Sequence, residues 1–257
     1  MVNESSTITV LGSKVHLVNT VDTVDQIEAW IAEPRRICRR VIVTGFHGLW
    51  EAHQDRELKK ILNSAELWIP DGIAPVWLAR LKGNRHAERA TGVDVMREFF
   101  RRASARGYRC FFYGDTERTL DALRRRLDQD FPGHIVAGSF SPPFRPLTKQ
   151  EDERIIAQIN EAKPDVLWVG LGMPKQERWI YDRQKRLSVP VAIGVGAAFA
   201  FAAGTVQRCP DWIGSMGMEW VFRLTREPRK LWRRDLLDGP RFLFNVGLEL
   251  ARIRKYE

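Results

Sequence analysis

A chain of 257 residues, with 44% hydrophobic and 28% charged residues, has the composition of an ordinary globular protein of one large domain or two small ones. The formal charge of +9 favours an anionic partner, which leaves nucleic acid, an acidic membrane and a phosphorylated substrate open. The three cysteines lie far apart and are odd in number, which argues against a disulfide framework and against a zinc cluster.

The N-terminal stretch does not predict a secretory signal. The letters MVNESSTITVLG lack the basic start and the long apolar run of a secretory signal. No stretch of the chain approaches the roughly 18 uncharged apolar residues from which a membrane-spanning helix is recognised. We therefore expect a cytoplasmic protein that does not cross a membrane.

Short apolar, β-branched runs alternate with amphipathic stretches along the chain. Residues 7–18 predict two short strands around Gly12-Ser13, which form a hairpin at a sheet edge. Five further strands, each of which stops at Gly or Pro, are predicted at residues 39–45, 66–72, 108–115, 164–172 and 189–196.

Helical patterns fill the intervals between these strands, at residues 93–107, 116–131 and 148–164. The last of them opens with Thr148 and Glu151, the spacing of a capping box. Strands that alternate with helices of this length imply βαβ units, so we expect an α/β fold with a mostly parallel sheet.

The last fifty residues have a different character, because no strand-like run follows Pro210. Residues 223–234 contain six basic residues against one acid, Glu227, with leucine and tryptophan interleaved. Two interpretations remain open: an interfacial amphipathic segment, or a helical pair that packs on the core with solvated arginines. We predict a core over residues 1–207, able to fold when cut near residue 208, and a helical appendage over residues 208–257.

Ligands of parallel α/β sheets bind where strands end and helices begin. Gly172 ends one such strand, and Lys175 and Gln176 occupy the first turn of the following helix, an arrangement that could hold a diphosphate without a metal. Gly194 and Gly196 belong to a partial dinucleotide fingerprint that lacks its last glycine and its acid about 20 residues on. A nicotinamide-dependent oxidoreductase is therefore a weak alternative. The glycines at these strand ends could also serve only to form the turns.

The sequence predicts neither a cofactor nor a metal site. The single D-x-D triplet, Asp128 to Asp130, lies near the end of a helical stretch rather than after a strand, which indicates a surface position. The five histidines show no metal-ligand spacing.

Asp71 stands between a strand-like run and the helical pattern of residues 73–81. Pro70-Asp71-Gly72 is by itself a strong turn signature, so Asp71 has a purely structural interpretation. A carboxylate at such a strand end could also serve as a general base for a substrate within hydrogen-bond reach. Residue chemistry alone leaves both interpretations open.

Six stretches, in order along the chain, resemble the WecG/TagA/CpsF glycosyltransferases, glycosyltransferase family 26. They are PDGIAPVWLAR, ERATGVDVM, FFYGD, WVGLGMPKQERWI, GVGAAFAFAAGTVQRCP and GMEWVFRLTREPRKLWRRDL. The resemblance implies a Rossmann-like fold without a D-x-D metal site. It also implies inverting transfer of a sugar from a UDP-sugar to a saccharide on polyprenyl diphosphate, in the synthesis of wall polymers, capsule or exopolysaccharide.

The resemblance further implies a peripheral location on the cytoplasmic face of the plasma membrane. The C-terminal appendage would dock on that membrane and carry arginines toward the active site, and homo-oligomers would hide it. Among the arginines of this appendage, the candidates for contact with substrate or lipid headgroups are Arg223, Arg226 and Arg229.

Position by position, the resemblance implies that Asp71 is the catalytic base and that Thr44 is a catalytic-pocket residue. It implies that Arg89 and Gln176 bind substrate. The chain departs from the family pattern T-x-N, since Gly45-Phe46-His47 follows Thr44. The departure weakens the assignment of Thr44 and indicates a donor or acceptor sugar different from that of the wall-teichoic type.

A basic nucleic-acid-binding protein is the alternative from another class. It would explain the positive charge through phosphate contacts along the C-terminal appendage. It would leave Asp71 and the glycine-rich strand ends without a purpose. We therefore expect a glycosyltransferase whose partners are a UDP-sugar, a lipid-linked acceptor and a membrane surface, with no nucleic acid.

Overall fold

A six-stranded parallel sheet organises the computed structural model, which describes residues 7–210, 213–214 and 218–256. Its strands, in spatial order, are β4 (Leu67–Pro70), β3 (Arg39–Thr44), β8 (Val191–Gly194), β7 (Val166–Gly170), β5 (Arg109–Gly114) and β6 (Ile135–Phe140). Because all six run in the same direction, their carboxyl ends meet at one edge of the sheet. The predicted α/β fold with a parallel sheet is confirmed.

The N-terminal hairpin is also confirmed. Strands β1 (Thr7–Val10) and β2 (Ser13–His16) pair antiparallel as a separate two-stranded sheet. Leu11 and Gly12 connect them with φ of 48° and 80°, the left-handed values that a tight hairpin turn requires. The Trp68 backbone N–H donates to His16 Nδ1 at 3.0 Å, which ties the hairpin to edge strand β4.

Helices cover both faces of the sheet. One face is covered by α1 (Thr20–Ile31), α5 (Gly92–Arg106), α6 (Glu117–Asp130) and α9 (Ala198–Ala202). The other face is covered by α2 (Phe46–Gln54), α3 (Arg56–Asn63), α4 (Ile73–Leu81), α7 (Lys149–Ala162) and α8 (Lys175–Arg183). The large side chains of Trp68 and Trp168 are fully buried between these layers.

The predicted helices α5, α6 and α7 are confirmed, and their caps explain where they begin. Thr148 and Glu151 form the predicted capping box at the start of α7. Strand β6 was not predicted. Its residues are only partly buried, because it is the outer strand of the sheet, so its sequence lacks the continuous apolar run of an inner strand.

The C-terminal segment, residues 218–256, is here called the tail. It consists of α10 (Glu219–Arg226), α11 (Pro228–Trp232), a π-helical turn (Arg233–Asp238) and α12 (Gly239–Leu250). Phe242 and Val246 of α12 are buried in the same apolar cluster as residues of β1, α2 and β4. Glu249 accepts a hydrogen bond from the Leu11 N–H at 3.1 Å. One face of α12 therefore packs against the core.

The division of the chain at residue 208, into a core that folds alone and a helical appendage, stays a prediction. Cutting there would remove Phe242 and Val246 from the apolar cluster to which they belong.

No helix within the described residues combines the length and the apolar character needed to cross a bilayer.

Candidate active site

A cleft of about 1960 Å³ opens at the carboxyl edge of the sheet. Its floor is formed by the ends of β3, β4, β5, β7 and β8, and its far wall by residues of the tail. This is where α/β sheets bind their ligands, since the chain turns from strand to helix there and exposes backbone groups. Asp71, Arg89 and Arg223 all line this cleft.

Asp71 follows directly on β4 and is partly exposed in the cleft wall. Its backbone N–H donates to Ile69 O at 3.1 Å, and the adjacent Gly72 has φ of 83°, so a tight turn ends the strand. Removal from water raises the pKa of Asp71 to about 6, and the charge of Glu219 raises it further while Arg223 and Arg89 oppose the rise. The carboxylate is therefore a base near neutral pH.

The backbone of Asp71 also explains a neighbouring glycine. A Cβ atom on Gly45 would lie 2.2 Å from the Asp71 carbonyl oxygen, a distance that no side chain tolerates. Only glycine therefore lets the turn after β3 approach the turn after β4 so closely. This contact holds the ends of both strands side by side at the cleft.

Two arginines approach Asp71 from different parts of the chain. Arg89 forms an ion pair with Glu219 of α10, with Nη1 and Oε2 3.2 Å apart. Arg223 lies one helical turn after Glu219, with its guanidinium 5.5 Å from the ring centre of Phe201 and its Nε buried without a partner. The tail thus closes over the cleft and places a cation beside the carboxylate.

Helices α2, α4 and α8 begin at the cleft without a capping side chain. The residues before α2, α4 and α8 are Gly45, Gly72 and Pro174, and none of them supplies a side-chain cap. By contrast, α1, α3, α5, α6 and α7 all begin at a side-chain cap. Uncapped first turns leave backbone N–H groups for an anion, and the helix dipole adds to the attraction.

The turn between β7 and α8 is held by a buried side-chain pair. Gln176 Oε1 accepts from the Gly172 N–H at 3.1 Å, and Gln176 Nε2 donates to Glu177 Oε1 at 2.8 Å. Burial raises the pKa of Glu177 to about 7, with the Gln176 hydrogen bond acting in the opposite direction. A Cβ on Gly194 would lie 2.8 Å from Gln176 Nε2, so this glycine makes room for the amide.

Comparison with known proteins identifies the family. The family model described as Glycosyl transferase WecG/TagA/CpsF family matches residues 8–256. This chain belongs to that family. The glycosyltransferase resemblance of the sequence motifs is thereby confirmed.

Individual relatives are similar to this chain over most of their length. An N-acetylglucosaminyldiphosphoundecaprenol N-acetyl-beta-D-mannosaminyltransferase of Bacillus subtilis (strain 168) is 32% identical over 76% of this chain and 73% of its own. A protein of the same description from Bacillus spizizenii is 32% identical over 77% of this chain and 74% of its own. One from Staphylococcus aureus (strain MW2) is 26% identical over 76% of this chain and 74% of its own.

Most residues predicted for the site of this family member are brought together in the cleft. Those that line it are Thr44, Asp71, Arg89, Gly172, Lys175, Gln176, Gly196 and Arg223. Thr44 is the last residue of β3 and is buried, with its hydroxyl 3.2 Å from Met173 Sδ. Gln176 is buried and its amide is occupied within the β7–α8 turn. Their roles in binding and catalysis stay predictions.

Three predicted residues lie away from the cleft lining. Gly194 packs against Gln176 behind the β7–α8 turn. Arg226 stacks on the Phe222 ring at 5.3 Å, and both Arg226 and Arg229 are exposed. Residues three apart on α10 lie only about 60° from each other around the helix, so the difference comes from their aromatic partners: Arg223 packs on Phe201 and Arg226 on Phe222.

Several residues of the cleft wall were not predicted. His47 at the start of α2 lines the cleft together with Arg233 and Arg234 of the π-helical turn. Arg234 is held by Asp235 in a two-pronged ion pair at 2.6 and 3.0 Å. Burial lowers the pKa of His47, with Arg234 as the next cause. The basic run of residues 223–234 signalled these arginines, but sequence could not choose among its members.

Acidic and histidine side chains do not gather into a metal-binding group of three or more within the described residues. Metal independence of the reaction stays a prediction. The cations that face the cleft are arginines and a lysine, which suit an anionic group such as a diphosphate.

Proposed function

We propose that this chain transfers a hexose or an N-acetylhexosamine from a UDP-sugar to a saccharide carried on polyprenyl diphosphate. The transfer proceeds with inversion, needs no metal, and serves the synthesis of a cell-surface polysaccharide at the inner face of the plasma membrane. The observation that carries the proposal is Asp71, a base of pKa about 6 set beside Arg89 and Arg223 in the cleft.

The relatives support the class of acceptor. Their names describe transfer of an N-acetylmannosaminyl group to N-acetylglucosaminyldiphosphoundecaprenol. We extend to this chain the class, a saccharide linked through diphosphate to a polyprenol, and leave the particular sugars open. The departure after Thr44, where Gly45-Phe46-His47 stands, is one reason to test several sugars.

Inversion requires a single displacement at the anomeric carbon. The acceptor hydroxyl attacks from the side opposite the UDP group, a new C–O bond forms, and the bond to the diphosphate breaks with its electron pair. Asp71 takes the proton of the attacking hydroxyl. A carboxylate of pKa about 6 is largely ionised at neutral pH and is therefore ready to accept that proton.

The leaving diphosphate gains negative charge, which the cleft must stabilise. Arg223 has a buried Nε without a protein partner, and we assign it to this diphosphate. Arg89 is oriented by its ion pair with Glu219 and supplies a second cation. The uncapped start of α8 adds backbone N–H groups and the exposed Lys175.

The mouth of the cleft suits an acceptor that remains attached to a membrane. Trp220, Leu236 and Leu243 of the tail line the cleft although each is exposed by 44% or more. Exposed apolar groups next to arginines favour contact with an anionic lipid surface. The tail is accordingly assigned to membrane docking, and a homo-oligomer that hides it stays a prediction.

The experiment is a transfer assay in the presence of EDTA. The full chain is incubated with each of a panel of UDP-sugars and a short-chain polyprenyl diphosphate carrying N-acetylglucosamine, and products are identified by mass spectrometry. We expect one sugar to be added from at least one UDP-sugar, and UDP alone to raise the melting temperature. Absence of both effects, with salt-sensitive binding to duplex DNA, would overturn the proposal in favour of nucleic-acid binding.

A further inference from the structure

Helix α4 carries an exposed apolar face that the fold does not use. Trp77 and Leu81 lie one helical turn apart and are 51% and 71% exposed, whereas Val76 and Leu78 of the same helix are buried. Eleven of the seventeen large hydrophobic side chains exposed in the described ranges belong to α4 or to residues 218–253. Such concentration, in contrast to single scattered residues, marks an interaction surface.

The apolar face of α4 borders the same cleft mouth as the tail. Trp77, Leu236 of the π-helical turn and Leu243 of α12 all line the cleft. At their other ends the two helices are joined, since Lys82 Nζ lies 3.3 Å from Glu249 Oε1. Helices α4 and α12 therefore both begin at the cleft and reach each other at their far ends, and their exposed apolar residues border one opening.

Exposed cationic side chains lie on the same elements as this apolar surface. Arg80 and Arg85 are exposed in and just after α4, and Arg233 and Arg241 are exposed on the tail. Among the nearby acids, Asp238 lies 3.7 Å from Arg241 and is largely covered. An apolar centre with a cationic margin is the arrangement that binds the headgroup region of an anionic bilayer.

We propose that Trp77 and Leu81 of α4 insert into an anionic bilayer together with the tail, so that the core itself supplies one side of the docking surface. This inference rests on the proposed function, because a lipid-linked acceptor is what requires the cleft mouth to meet the membrane. Contacts on both sides of the mouth hold the cleft at the depth of the lipid diphosphate. Asp71, two residues before α4, is thereby set at a defined height above the bilayer.

The test places an environment-sensitive fluorophore on single cysteines of the full chain. The variants are Leu81→Cys on α4, Leu243→Cys on the tail and, as a control of comparable exposure, Val21→Cys on α1, which is 50% exposed. The native cysteines are buried, and burial raises the pKa of the Cys38 and Cys110 thiols to about 12, so they react slowly. The probe is a vesicle of phosphatidylglycerol and phosphatidylcholine.

We expect vesicles to shift the emission of the probes at positions 81 and 243 to shorter wavelength and to leave the probe at position 21 unchanged. Leu81→Ser should weaken vesicle binding about tenfold, the effect of withdrawing one leucine from an apolar phase. The same variant should keep its turnover on a short-chain acceptor without vesicles, since Leu81 does not line the cleft.

The outcomes separate this inference from the proposed function. A silent probe at position 81 beside a responsive probe at position 243 would overturn the role of α4 and leave tail docking intact. A responsive probe at position 81 in a chain that transfers no sugar would support the docking surface and contradict the proposed function. Silence at both positions with full transfer would overturn membrane docking as a whole.

Discussion

Asp71 shows how a single side chain acquires a chemical role from its surroundings. In water an aspartate has a pKa of 3.8 and is a weak base, whereas removal from water and the charge of Glu219 raise the pKa of Asp71 to about 6. Arg223 and Arg89 limit the rise, so the group still ionises at neutral pH. A turn aspartate exposed to bulk water would keep its ordinary pKa of 3.8.

Replacement of Asp71 by asparagine tests this role directly. We expect Asp71→Asn to lower turnover about 10²- to 10⁴-fold, the range attributed to a general base, while UDP still raises the melting temperature. The fold should be retained, because asparagine has the same shape and removes a carboxylate that is costly to bury. Asp128→Asn, on an exposed acid of the D-x-D triplet, is the matched control and should keep full turnover.

The pH dependence of catalysis follows from the same group. The base must be deprotonated, so kcat/KM should rise with pH through a midpoint at about 6 and level off at neutral pH. A bound diphosphate adds negative charge, which raises the pKa of Asp71, so the midpoint of the kcat profile should lie at higher pH. A profile without this rising limb in the wild-type protein would remove Asp71 as the base.

At the scale of the element, α10 separates arginines that look equivalent in sequence. Arg223 lines the cleft beside Asp71, whereas Arg226, three residues on, stacks on Phe222 outside it. Helical rotation does not separate the two, since residues three apart lie only about 60° from each other around the helix. The guanidinium of Arg223 instead packs on Phe201, and that of Arg226 on Phe222. Charge alone did not discriminate between them, because both belong to one basic run.

This separation gives a paired prediction on one helix. We expect Arg223→Ala to lower kcat about 10²- to 10³-fold, the cost of losing one group that stabilises developing negative charge. Arg226→Ala should change kcat by no more than about twofold. Steady-state kinetics on a short-chain acceptor without vesicles measures both, and equal losses in the two variants would contradict the assignment of Arg223 to the diphosphate.

The elements also show where sequence patterns are informative. The capping box at Thr148 and Glu151 predicted the start of α7, because its hydrogen bonds join two residues only three positions apart in the sequence. Strand β6 escaped prediction because its position at the sheet edge leaves it half solvated and without an apolar run. Its partner β5 is inner and buried, and was predicted.

At the scale of the whole molecule, the tail and the core share one apolar interior. Phe242 has only 1% of its surface exposed, and its ring centre lies 5.9 Å from that of Phe46 in α2. Phe244, two residues on, is 67% exposed. One face of α12 thus holds the tail against the core, while the other face is exposed.

Two phenylalanines of α12 test this arrangement. We expect Phe242→Ala to lower the free energy of unfolding by about 3–5 kcal/mol, the usual cost of emptying a packed aromatic site. Phe244→Ala should change it by no more than about 0.5 kcal/mol, as expected for an exposed residue. Urea denaturation of the full chain measures both, and a small effect at Phe242 would support a core that folds without the tail.

The sequence by itself determined the α/β class, the hairpin, helices α5 to α7 with the capping box of α7, and the placement of Asp71 at a strand end. These depend on local patterns, namely period, capping and turn residues, which operate over a few positions. Only the tertiary structure decided which arginines face the cleft, that Glu219 orients Arg89, and that α12 completes the core. These depend on contacts between residues more than a hundred positions apart, such as Arg89 and Glu219, which no local pattern encodes.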